Sequence, residues 1–126
     1  MRSGRADTLY ASTARNVRRL RDAGVPIAMG TDAGNPGTAH GPSVYREMEA
    51  LQSAGMSAAD VFASATIVAA RALGRSSEMG SLEAGKLADL IVLDADPLAD
   101  IANVRRLRFV MKGGALYGRS ELLPRR

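Results

Sequence analysis

The chain has no cysteine and no tryptophan, a single histidine, and only 4% aromatic residues. Without cysteine, disulfides and thiolate metal sites are excluded, which fits a reducing cytoplasm. With one histidine, imidazole chemistry is limited to His40. No apolar run approaches the roughly 18 residues that a membrane span needs. The opening MRSGRADTLY lacks the apolar stretch of a signal peptide. The expectation is a cytoplasmic protein without a membrane partner.

What is there is unevenly charged. Residues 1–23 hold six arginines against Asp7 and Asp22, and residues 104–126 hold seven basic residues against Glu121. The segment between them, 24–103, has four basic and ten acidic residues. Opposed blocks of this kind can pair with each other or with a larger chain, and basic ends can attract nucleic acid. The scarcity of aromatic side chains for base stacking and the acidic middle argue against a nucleic-acid partner. At 126 residues the chain suits one small domain or a piece of a larger one.

Residues 8–23 carry Tyr10, Ala14, Val17 and Leu20 at spacings of three and four, which predicts a helix. Asp7 or Thr8 can cap its start, and Gly24 follows its end. Val25 to Gly30 is short, apolar and bounded by glycines, as a strand buried on both faces reads. Thr31 to Pro42, rich in glycine and proline, must be a loop leaving the end of that strand. Ser43 can cap a helix running to Ala54. Ser57 and Asp60 match a capping box opening a further helix that Gly74 closes. After Gly80 the texture turns to short strands: one near Ser81-Leu82, one from Ala88 to Leu93, and a hairpin of 107–112 and 115–117 around Gly113-Gly114. A helix-rich α/β part, residues 1–77, thus gives way to an antiparallel β part, residues 78–126.

Asp32 follows the predicted strand directly, in the run Gly30-Thr31-Asp32-Ala33-Gly34. The end of a strand is where α/β folds bind ligands. A carboxylate there can ligate a metal or move a proton. It can equally be a loop aspartate accepting backbone N–H bonds, and spacing alone favours that. His40, eight residues on, suits ligation, proton transfer or substrate contact. It can also be a loop histidine bonded to backbone. Catalytic zinc takes three protein ligands as a rule, and one histidine without cysteine cannot supply them. The glycines of the loop match neither phosphate-binding fingerprint. Glu47 and Glu49 read as solvated helix residues, and Ser43 and Ser57 as caps.

These residues resemble a known family. Gly30-Thr31-Asp32-Ala33-Gly34 with His40-Gly41 is similar to the eighth barrel strand and loop of the imidazolonepropionase-like branch of the amidohydrolase superfamily. The run Ala65 to Gly74 resembles its closing helices. Gly80-Ser81-Leu82-Glu83-Ala84-Gly85-Lys86-Leu87-Ala88-Asp89-Leu90 resembles the entry to its small β-sandwich domain, and the match continues through Asp96-Pro97 to the hairpin. The resemblance spans about residues 14–118. It implies an α/β fold: the C-terminal fragment of a metal-dependent (β/α)₈ barrel hydrolase, followed by part of a β-sandwich. It implies hydrolysis of amide, cyclic amide or dipeptide C–N bonds in a small-molecule substrate. One or two divalent metals, zinc above all, would serve the reaction. By the match, Asp32 ligates the metal and is catalytic, His40 lines the substrate pocket, and Lys86 and Asp89 are structural.

The departures define the expectation further. The family's His-x-His pair, its bridging lysine or glutamate and its two later histidines are absent from residues 1–126, and Val68 stands where asparagine is expected. A complete barrel takes about 250 residues. The chain is therefore expected to be incompetent alone. Its partners would be the missing barrel portion or a second copy. The alternatives are a non-catalytic interaction module and one half of a split hydrolase.

Overall fold

In the computed structural model the described residues are 3–122. The chain is α/β: helices α1 (Ser3–Asp22), α2 (Pro42–Ser53), α3 (Ala58–Ala65) and α4 (Ile67–Ala72) precede strand β1 (Leu90–Leu93). A 3₁₀ turn (Ile101–Arg105), strands β2 (Leu107–Lys112) and β3 (Ala115–Gly118), and the short helix α5 (Arg119–Leu122) follow.

Helix α1 starts earlier than residue 8 because nothing between Ser3 and Thr8 stops a helix. Asp7 and Thr8 therefore lie within the helix and not at the cap position expected of them. Its end is as expected: Val25 N–H reaches back to the Leu20 carbonyl and Gly24 N–H to that of Arg21, the paired bonds of a Schellman ending. Helix α2 begins with Pro42 in its first turn and Gly41 at the cap position, so Ser43 is not the cap. Ser43 is buried inside the first turn instead. Ser57 does cap α3, its hydroxyl accepting from Asp60 N–H at 3.1 Å. The single helix expected from Ser57 to Gly74 is broken at Thr66, whose backbone (φ −126°, ψ −96°) leaves the helical region. The Thr66 hydroxyl donates to the Phe62 carbonyl at 2.6 Å, the local bonding by which threonine competes with the helix ladder.

Residues 25–30 form no regular element and pair with no strand among the described residues. They are anchored by Met29 N–H donating to the Ser64 carbonyl at 3.0 Å. Ile27 and Met29 pack toward the core, whereas Val25 is 45% exposed and Ala28 is exposed. The expected burial on both faces is therefore not met: Ile27 and Met29 are half-buried and the other four residues are exposed. The strand expected near Ser81-Leu82 is also absent; Ser81 lies in a bend, and Leu82, without regular structure, is exposed.

The sheet is antiparallel in the order β1-β2-β3. Val92 lies opposite Phe109, and Lys112 opposite Ala115 across the turn. Gly113 and Gly114 both have positive φ (56° and 84°), the requirement of a type I′ hairpin turn. The core joins the helices to the turn before β2. Met48, Leu51, Met56, Ala58, Val61, Ile101 and Val104 form one buried cluster. Val61 is 0% exposed at its centre. The helical and β-rich parts thus share apolar packing, as area removed from water requires in so short a chain.

Candidate functional site

Asp32 stands at the start of the loop that leaves residues 25–30. It is the one non-glycine residue with positive φ (48°) among the described residues. Aspartate enters this left-handed region more readily than most side chains do. Three residues on, Asn35-Pro36-Gly37-Thr38 closes a turn, with Thr38 N–H donating to the Asn35 carbonyl at 3.0 Å. Proline at the second position and glycine at the third, with φ 91°, are what a type II turn demands.

That turn aims two side chains back at Asp32. The Asn35 amide Nδ2 donates to Asp32 Oδ2 at 2.7 Å and lies 3.1 Å from the Asp32 carbonyl oxygen. The Thr38 hydroxyl lies within donating distance of the carbonyls of Asp32 (3.1 Å) and Asn35 (2.9 Å). Gly34 N–H donates to the Thr38 carbonyl at 2.9 Å and draws the two arms of the loop together. Asp32 Oδ1 has no protein partner among the described residues. The carboxylate is therefore held by one oxygen and open at the other, on an exposed loop.

His40 folds back against the same loop. A Cβ built on Gly34 would sit 3.5 Å from His40 Nε2, so the ring rests over that glycine, two residues from Asp32 in sequence. No hydrogen bond joins His40 to Asp32 among the described residues, and the His40 side chain is exposed. Nearby, a mostly apolar groove of about 340 Å³ is walled by Met29, Gly41, Val44, Tyr45, Phe62 and Ile91. Gly41 connects this groove to the loop, but neither Asp32 nor His40 lines it.

The perturbed carboxylates lie elsewhere. Burial raises the Glu47 pKa. Glu47 lines a groove between α1 and α2, beside Tyr10, Ala14 and Val17. Glu47 is thus half-buried on its helix, less solvated than expected. Glu49, by contrast, pairs with Arg105 at 2.8 Å on the surface. A hydrogen bond from Lys112 and the Gly113 N–H hold the Asp89 carboxyl below the usual range. The Ser81 hydroxyl and then the Lys86 ammonium lower Glu83 in the same way. Lys86 and Asp89 thus sit in the hydrogen-bonded frame of the β-rich part.

Among the described residues, no three of His, Asp and Glu come together as metal ligands would. One exposed carboxylate with one oxygen already bonded is one ligand, and these residues by themselves do not fit a metal centre. The motif reading of the sequence missed Asn35 and Thr38. The signal for them was the run Asn-Pro-Gly-Thr, three residues after Asp32.

Residues 5–116 match the model of the amidohydrolase family. The imidazolonepropionase of Geobacillus kaustophilus is 43% identical over 105 residues, which is 80% of this chain and 24% of that protein. Among solved structures, a putative prolidase from Bifidobacterium longum superposes with a TM-score of 0.79 at 38% identity, over 90% of this chain and 27% of its own. An Xaa-Pro dipeptidase with methionine bound in its active site gives 0.77 at 37% identity, over 83% and 25%. The chain spans about a quarter of the length of the curated relatives it matches.

Proposed function

The chain belongs to the amidohydrolase family, and on that premise we propose that it supplies the last barrel portion and part of the sandwich domain of a cytoplasmic hydrolase acting on C–N bonds. In this reading residues 1–77 complete the barrel and residues 78–126 belong to the sandwich. The supporting observation is the Asp32 loop, where a carboxylate is fixed through Oδ2 and leaves Oδ1 free for a reacting group. Asp32 is the catalytic residue: it takes a proton from the attacking water and passes it to the leaving nitrogen. His40, over Gly34, lines the substrate pocket. A divalent metal, zinc foremost and one or two ions, belongs to the complete site. Asp32 would give it one oxygen, and the remaining ligands would come from outside these residues. The substrate is a small amide, a cyclic amide such as an imidazolone, or an Xaa-Pro dipeptide.

The test is turnover of those three substrate types by the complete hydrolase carrying this segment, with and without Asp32→Asn. Asparagine keeps the left-handed backbone and the shape but loses the proton acceptor. Turnover should fall by about 10²- to 10⁴-fold, the worth of a positioned acid–base group. Near-normal turnover in that variant sinks the assignment.

A second reading draws on the exposed apolar surface. Tyr10, Leu73 and Leu82 are 74%, 72% and 81% exposed. Such a surface suits one half of a split hydrolase, or an interaction module that docks on a barrel partner or on a second copy. Mixing the chain with the N-terminal three-quarters of a relative distinguishes these: restored turnover supports the split enzyme, and tight association without turnover supports the module.

A further inference from the structure

We infer that Asn35 is a positioning residue for Asp32, an inference that rests on the reading of Asp32 as the catalytic carboxylate. The Asn35 amide is placed by two independent constraints. Its backbone is the first residue of a type II turn, closed by Thr38 N–H at 3.0 Å with Pro36 and Gly37 at the corner. Its side chain then spans the Asp32 carboxylate (2.7 Å) and the Asp32 carbonyl (3.1 Å), bridging side chain and main chain of one residue. An amide donor held this way fixes the Asp32 side-chain rotamer. The carboxylate cannot rotate without giving up a charge-assisted bond. Because Asn35 occupies Oδ2, the other oxygen is presented in one direction only. Thr38 holds the Asp32 carbonyl from the other arm at 3.1 Å, so the peptide of Asp32 is clamped as well.

Asn35 touches no reacting atom in this account; it acts through Asp32. Loss of an outer residue that orients a reacting group costs about ten- to a hundred-fold in activity, and it falls on the chemical step more than on binding. The prediction is therefore specific to kcat. The isosteric Asn35→Asp keeps a residue favoured at the first position of a turn but replaces the donor with an acceptor.

The experiment has two arms. In the first, the complete hydrolase carrying this segment is assayed as wild type, Asn35→Ala, Asn35→Asp and Asp32→Asn. Positioning predicts that both Asn35 variants lower kcat by about ten- to a hundred-fold, with KM within about two-fold and the melting temperature nearly unchanged. Wild-type kcat in Asn35→Asp, or losses that follow the melting temperature alone, overturn it. If Asp32→Asn loses turnover while the Asn35 variants keep theirs, positioning fails and the catalytic reading stands. If Asp32→Asn keeps turnover, the catalytic reading itself fails. The second arm needs no activity: NMR of the 126-residue chain follows the Asn35 side-chain amide protons. They should be shifted and protected in the wild type and become random-coil-like in Asp32→Ala. Random-coil values in the wild type overturn the inference.

Discussion

Arg105 lies over the Tyr45 ring at 4.9 Å and reaches Glu49 at 2.8 Å, tying the 3₁₀ turn before β2 to helix α2. The pair is visible but weak. Both side chains are about two-fifths exposed, and exposed ion pairs contribute at most about 1 kcal/mol. The same contact is backed from below by Ile101 at 2% exposure, packed with Met48, Leu51 and Val61. Burial therefore decides that the helical and β-rich parts stay together. Glu49→Ala should lower unfolding free energy by less than about 1 kcal/mol. Ile101→Ala should lower it by about 2–5 kcal/mol. Urea unfolding of the two variants checks the order, and equal losses would show that the surface pair matters more than burial.

The hairpin staple should be acid-sensitive. Asp89 accepts from Gly113 N–H at 2.7 Å and from Lys112, and its pKa is lowered in the fold. A depressed folded pKa contributes stability that is present above the unfolded value and lost as pH falls through the folded one. Asp89→Asn should therefore destabilise the chain at neutral pH. The difference from wild type should shrink as pH drops below the ordinary aspartate range. A gap independent of pH between 2 and 7 would remove the ionised carboxylate from the account.

Glu47 should behave with the opposite sign. Burial between α1 and α2 raises its pKa, so the folded chain holds this proton more tightly than the unfolded one. Its ionisation then opposes folding as pH rises from the unfolded value through the folded one. Glu47→Gln should stabilise at pH 7 and be neutral in acid, as read by thermal melts at both pH values. A destabilised variant at pH 7 would mean that the carboxylate makes a favourable contact instead.

The Ser57 cap offers a local check. Its hydroxyl accepts from Asp60 N–H at 3.1 Å at the start of an eight-residue helix. Ser57→Ala should cost about 1 kcal/mol, while Ser57→Asn should restore most of it. Equal stability of all three chains would mean that α3 is held by Val61 and Ala58 alone.

The left-handed backbone at Asp32 separates charge from shape. Asp32→Asn should leave the melting temperature nearly unchanged, because asparagine also tolerates φ near the observed 48°. Asp32→Ala should cost about 1 kcal/mol or more, from backbone strain at the left-handed position. If the two variants melt alike, the loop holds Asp32 less tightly than its hydrogen bonds indicate.

Where each element's fate is set by neighbours in sequence, the residues alone were enough. The apolar spacing of Ala14 and Val17 with Gly24 after them, the Ser57–Asp60 cap, and the Gly113-Gly114 turn each specify local geometry, and each stands as expected. The Gly30-to-Gly34 run likewise carried the family resemblance that the comparisons bear out. Other features depend on what lies across space. Residues 25–30 have the composition of a buried strand, but a strand needs partners for its N–H and C=O groups, and the described residues supply only the Leu20 carbonyl to Val25 and the Ser64 carbonyl to Met29. The break at Thr66 follows from one hydroxyl bonding the Phe62 carbonyl, which helical periodicity cannot foresee. Ile101 and Val104, distant in sequence from the helices, join the core by packing with Met48, Leu51 and Val61 of α2 and α3. At the candidate site the sequence alone placed Asp32 three residues before an Asn-Pro-Gly-Thr turn, since both are local. That Asn35 holds one oxygen and leaves the other free, and that His40 rests over Gly34, only the folded loop decided. Both depend on side chains meeting at hydrogen-bonding or van der Waals distance, which residue order does not specify.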